Sequence, residues 1–137
     1  MFAFPALIPT YLNPVVDKAG DIVVSTVRTP EDVDRQIHDL VNKERAKAGV
    51  APLAWNEQAA QTAREYSKQM YDSGVFEHST TFCYGENIFM IQGAPVSAWQ
   101  TVNAWMESPG HKQNILDPDY TSEGIGVFGG YVTQNFC

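Results

Sequence analysis

The chain has 137 residues, 44 % of them hydrophobic and 18 % charged, with a formal net charge of −7. That is the length of one domain with enough apolar residues for a core, which excludes a disordered tail or a fibre. Nine basic residues against sixteen acidic ones exclude nucleic acid as the partner, because phosphates call for clustered Lys and Arg.

The opening stretch, MFAFPALIPTYLNPVV, is apolar but too short to span a bilayer, so no transmembrane segment is expected. Pro5, Pro9 and Pro14 break any helix in it, and no Lys or Arg precedes it as in a signal peptide. Residues 1–28 therefore read as a lead or linker before a domain over 29–137. Asp21 to Val27, DIVVSTV, is β-branched and predicts a short strand in that lead.

A helix start follows at TPED: Thr29 caps, Pro30 suits the first helical position, and Glu31 and Asp32 meet the positive helix end. Val33, Ile37, Leu40 and Val41 form its apolar stripe, and Gly49 stops it. His38 falls beside Asp34 and Asn42 on the polar face, and NKERAK reads as solvated. A second helix starts from Asn56 as cap, with Ala59, Ala63, Tyr66 and Met70 as its stripe and Gly74 at its end. Its small alanines allow a close approach to a neighbour.

A loop carrying His78 leads into YGENIFMI, a strand-like run with Glu86 at its mouth. A third helix is expected from Pro95, with Trp99, Val102, Asn103 and Met106 on one side, ended by SPG. HKQNIL predicts one further turn with His111 at its positive end, where a neutral imidazole is favoured. EGIGVF and YVTQNF predict two strands joined by a tight hairpin at Gly129-Gly130. Interspersed helices and short strands with an antiparallel end make the class α+β.

Cys83 and Cys137 are the only cysteines. Taken alone they are two thiols or one pair. The pair is favoured because Cys83 stands three residues before Glu86 and Cys137 ends a terminal strand, where it would act as a staple. Such a pair is worth roughly 4 kcal/mol in the chain-entropy model and implies an oxidising compartment, so an extracellular or cell-surface location.

Compact chemical motifs are lacking: there is no HExxH, no CxxC pair and no GxSxG, so Ser79, Ser108 and Ser122 have no support as nucleophiles. The ordered set LVNKERAKAGVAPLAWNEQAAQTAREYSKQM, FEHS, YGENIF, AWMESPGHKQNIL, GIGVF and YVTQNF resembles the CAP superfamily. That superfamily comprises cysteine-rich secretory proteins, insect venom antigen five and plant pathogenesis-related class 1 proteins; the short WMESPGH link is similar to the prokaryotic members. The resemblance implies a three-layer α-β-α sandwich with a central antiparallel sheet and a cleft carrying two histidines and two glutamates that hold a divalent cation, most simply zinc. On the matching motifs His78 and His111 are the histidines and Glu86 is the first acid. The second acid of the animal pattern stands three residues after the tryptophan, which here is Ser108. Glu107 comes one place early, a rotation of about 100° on a helix, and is carried as the fourth member.

Two functions follow. One is a secreted, monomeric binding domain, without catalysis, whose cleft takes a cation and a small or extended ligand. The alternative is a metal-dependent hydrolase of peptide or ester bonds using the same cleft, with Glu86 or Glu107 as base.

Overall fold

A computed structural model describes residues 14–16, 22–24, 32–80 and 83–137. The chain divides into two units after Asp32. The first contains β1 (Pro14–Val16) and β2 (Ile22–Val24), paired antiparallel with Val15 opposite Val23. β2 is the centre of the strand predicted over Asp21–Val27, whereas β1 was hidden in the proline-rich lead. The predicted cap at Thr29-Pro30 lies outside the described residues.

The second unit runs through α1 (Val33–Lys47), β3 (Ala54–Trp55), α2 (Glu57–Ser73), β4 (Gly85–Met90), α3 (Ala98–Met106), α4 (Pro109–Ile115), β5 (Ser122–Phe128) and β6 (Tyr131–Phe136). The sheet order is β3-β5-β6-β4. β4, β6 and β5 form the antiparallel sheet the sequence predicts, and the two-residue β3 adds a parallel edge to β5. The β5–β6 hairpin turns at Gly129 and Gly130, whose φ values of 54° and 93° suit glycine.

Side chains alternate across these strands and build two cores, one on each face. Ile125, Val132 and Phe136 pack with Val33, Ile37 and Val41 of α1 and with Val102 and Trp105 of α3. On the opposite face α2 lies directly on β5 and β6. A Cβ on Gly124 would come within 2.0 Å of Ala60 N, and one on Gly126 within 2.0 Å of Arg64 N. The buried Ala59, Ala60 and Ala63 of α2 thus meet glycines on the strand, which is how the helix reaches the sheet. The layers are α2, the sheet, and α1 with α3 and α4: an α-β-α sandwich.

Helix ends follow local chemistry. Asn56 caps α2, accepting from Ala59 N at 3.0 Å, and Gly74 closes it with φ 71°. Ser97 caps α3 from Gln100 N, so that helix starts after Pro95 and its buried residues are Ala98, Thr101, Val102 and Trp105. Trp99, expected on the inner side, is 65 % exposed, because the stripe advances from Ala98 at helical spacing and leaves residue 99 outside. The SPG break ends α3 and begins α4, with Pro109 in its first turn.

The polar face of α1 is the largest departure from the sequence reading. Arg45, inside NKERAK, is 1 % exposed. Its Nε donates to Ala51 O at 2.7 Å and its Nη1 to Ile115 O and Asp117 O at 2.8 and 2.9 Å, while Nη2 reaches Tyr120 O at 3.3 Å. His38, expected at the surface, has a side chain 14 % exposed, with Nδ1 2.6 Å from Glu123 Oε2. Asn42 brackets Leu53, donating to its O and accepting from its N. These residues recur every three or four positions, so they form a second inward stripe in which each polar group has a partner waiting.

Cys83 and Cys137 are disulfide-bonded, as expected from their placement. The register explains it: Gly85 pairs with Phe136, and Tyr84 N donates to Phe136 O at 3.0 Å, so the residues just beyond both strands meet. Among the described residues no helix is long and apolar enough to cross a membrane.

Candidate functional site

Glu86 is the second residue of β4, an edge strand, and its side chain is 3 % exposed. A buried carboxylate needs donors, and the loop after α2 supplies them. His78 Nδ1 lies 2.7 Å from Oε1, Ser79 N donates to the same oxygen at 3.0 Å, and Ser79 Oγ donates to Oε2. A carboxylate can only accept, so His78 carries its proton on Nδ1 and turns Nε2 outward. Tyr66 on α2 closes the other side, donating its hydroxyl to Glu77 O. Burial, then the charges of Glu86 and Glu77, push the Tyr66 phenol up, so it stays protonated.

His111 sits in the first turn of α4, half-buried, with Nδ1 2.9 Å from Ser108 Oγ. Burial and then the charge of His78 hold its imidazole below the ordinary histidine value. Because α4 runs beside β4, its residues also hold that strand. Asn114 Nδ2 donates to Asn87 Oδ1 at 3.0 Å and to Glu86 O at 3.4 Å, and Asn87 Nδ2 donates to His111 O at 3.2 Å. Trp105 Nε1 donates to Ile88 O at 3.0 Å. The outer carbonyls of the β4 edge are thereby covered.

His78 is bonded to Glu86 at the start of β4, and His111 is joined to the same strand through its backbone carbonyl and Asn87; Glu107 makes neither contact. It is exposed, ends α3, and accepts from Asn103 Nδ2 at 3.0 Å; no hydrogen bond or ion pair links it to the other three. Its neighbour Ser108, three residues after Trp105, is the residue that touches His111.

Among the described residues no group of three or more His, Cys, Asp or Glu side chains is gathered closely enough to hold a metal ion. Each of the two imidazoles has its Nδ1 tied to a neighbour, His78 to Glu86 and His111 to Ser108. Glu86 stands behind His78 as the carboxylate of a carboxylate–histidine pair, an arrangement that orients an imidazole and fixes its tautomer. Asn135, opposite Glu86 across the β4–β6 ladder, donates Nδ2 to Ala59 O at 3.3 Å, and its buried Oδ1 has no hydrogen-bond partner.

Sequence reasoning missed the residues behind the site: Glu123, Asn87, Gln134, Asn114 and Asn135. One signal was present. In YVTQNF, Gln134 alternates with Val132 and Phe136, which places a carboxamide on the same inward face as two core side chains.

Residues 38–137 match the family described as the cysteine-rich secretory protein family, CAP. The Bacillus subtilis protein YkwD is 34 % identical over 133 residues, covering 82 % of this chain and 51 % of YkwD. Pathogenesis-related protein 1A of Nicotiana tabacum is 28 % identical over 113 residues, covering 82 % of this chain and 64 % of that protein. Among solved structures, an extracellular protein containing a SCP domain from Bacillus anthracis superposes with a TM-score of 0.67 at 31 % identity, covering 85 % of this chain and 46 % of that one. The chain therefore spans about half the length of these two Bacillus relatives.

Proposed function

The chain belongs to the cysteine-rich secretory protein (CAP) family, and on that premise we propose that it is an extracellular or cell-surface binding domain, acting as a monomer, whose cleft takes a divalent cation, most simply zinc. The observation that carries the reading is the pair of imidazoles with Nδ1 engaged and Nε2 left for a ligand. A cation there supplies a Lewis-acidic centre with positions left open for a small or extended ligand. The protein's own contribution is orientation: Glu86 fixes the ring of His78, Ser108 that of His111, and burial keeps His111 neutral. Binding without catalysis is favoured because Glu86 takes three donors from the loop after α2 and orients His78, which fits a positioning acid better than a base. The disulfide and the Bacillus anthracis relative, an extracellular protein, support the location.

Calorimetric titration of zinc into the whole chain at about pH 7.5, above the ordinary imidazole value, tests this. One site is expected, with most of the affinity lost in His78→Ala and in His111→Ala and a higher melting temperature on binding. No heat of binding with wild type, under conditions where the melt is cooperative, overturns the reading.

A further inference from the structure

We infer that Glu123 on β5 is a positioning residue for the cleft, because its buried carboxylate anchors a hydrogen-bonded chain, Gln134–Asn87–Asn114, that holds α4 and His111 against β4. The inference rests on the cleft reading only in taking His111 as a cleft residue.

Glu123 is fully buried, as are Gln134 and Asn87. Its Oε2 takes His38 Nδ1 at 2.6 Å and its Oε1 takes Gln134 Nε2 at 2.7 Å. From there each amide has one orientation. Gln134 must point its NH2 at the carboxylate, so its Oε1 faces Asn87 and accepts from Asn87 Nδ2 at 3.0 Å. Asn87 then turns Oδ1 toward α4, where it accepts from Asn114 Nδ2 at 3.0 Å, and its NH2 also reaches His111 O at 3.2 Å. Three carboxamide dipoles therefore line up toward one anion, crossing β5, β6 and β4 in turn, and each polarises the next.

The chain matters because α4 is short and its start has no side-chain cap. It is seven residues long and its N-cap Ser108 makes no side-chain cap bond, the hydroxyl being with His111 instead. A helix that short does not hold its place by propensity. Arg45 grips its far end through Ile115 O. At the near end the polar grip is Asn87 on His111 O, and the same Asn87, its amide orientation fixed from Glu123, also takes Asn114 from the last turn. If Gln134 turned over, Asn87 would have to turn with it, and its oxygen would then face the carbonyl of His111.

The test compares Glu123→Met, which keeps the shape and removes the acceptors, with Glu123→Gln, which still accepts from Gln134 and faces His38 with an amide. The measurement is backbone amide hydrogen exchange by NMR on the whole chain without added metal, so that failure of zinc binding leaves it untouched. In Glu123→Met the amides of Lys112 in α4 and of Leu116 at its C-cap should exchange about tenfold faster than in wild type, while Met70 in α2 stays within about twofold. Glu123→Gln should keep α4 within about threefold. The side-chain NH2 signals of Asn87 and Asn114 should shift in the Met variant alone. The inference is overturned if α4 is unchanged in folded Glu123→Met, if α2 and α4 loosen together, or if Gln loosens α4 as much as Met. Should Glu123→Met not fold, Gln134→Met breaks the chain one link later, and the same pattern confined to α4 is required.

Discussion

The Nδ1 of His111 lies 2.9 Å from the Oγ of Ser108, at the position three residues after Trp105 where the animal pattern has a carboxylate. The neighbouring acid, Glu107, faces solvent and Asn103. Ser108→Glu should therefore raise zinc affinity by about tenfold, since a charged partner strengthens imidazole as a ligand. Glu107→Gln should change it less than about twofold, because solvent screens an exposed charge. Calorimetry on the two variants decides between them; a large loss in Glu107→Gln would place that acid in the site after all.

The pH dependence has a definite sign. His111 is held below the ordinary histidine value, first by burial and then by the charge of His78. With its folded pKa depressed, the unfolded chain binds the proton more readily. The stability tied to this group is present above about pH 6.5 and is lost as pH falls through the lower, folded value. Cation binding, which needs the neutral ring, should fade through the same window. His111→Asn should flatten that part of the stability profile, measured by denaturant melts at a series of pH values. A midpoint for His111 above the free-histidine value in an NMR titration would be the wrong sign.

Glycine at the α2–sheet contact is a steric requirement. In Gly126→Ala the new methyl would stand 2.0 Å from Arg64 N and 2.3 Å from Arg64 Cα, both backbone atoms that cannot rotate away. The helix must lift or the strand must bend, and overpacking of this kind costs about 1–3 kcal/mol or more. Gly49→Ala is the control in which the Cβ meets nothing within 4 Å and only the positive φ resists. Chemical denaturation of both should show the larger loss at Gly126.

Residues 1–28 should be dispensable. The family match covers residues 38–137 and begins only after them. A chain beginning at Thr29 is expected to stay soluble and melt cooperatively with little change in midpoint. Aggregation of that truncation would mean that the lead contributes to the domain.

The elements were legible because their signals are local. Asn56 and Gly74 bound α2 by capping chemistry, and Gly129-Gly130 marks a hairpin through positive φ. His78, Glu86 and His111 were legible only as an ordered set of motifs. What stayed hidden were polar residues whose partners are remote in sequence. His38 meets Glu123 across 85 positions and Arg45 meets Ile115 across 70. Periodicity sorts side chains into apolar and polar faces; it cannot tell a polar face that meets water from one that meets folded carbonyls. The same limit hid Asn87 and Gln134, whose strand positions read as ordinary alternation.

Arg45 gives the most direct test of that hidden polar layer. One guanidinium serves four carbonyls in three directions, on Ala51, Ile115, Asp117 and Tyr120. Burial pushes its pKa down, and the charges of Glu123 and Asp117 act to hold it up. A lysine keeps the charge but concentrates it at one point, so it cannot span those acceptors, and stranded buried carbonyls cost about 1–3 kcal/mol each. Arg45→Lys should therefore destabilise the domain by roughly 3 kcal/mol, and Arg45→Met by at least as much, because it also strands the acceptors and leaves Glu123 without a nearby cation. The loss should appear first at the C-terminal end of α4 and in the Asp117–Tyr120 turn, readable as faster amide exchange of Leu116 and Tyr120. An Arg45→Lys variant within about 0.5 kcal/mol of wild type, the range of an ordinary surface change, would show that this face of α1 is solvated as its sequence first suggests.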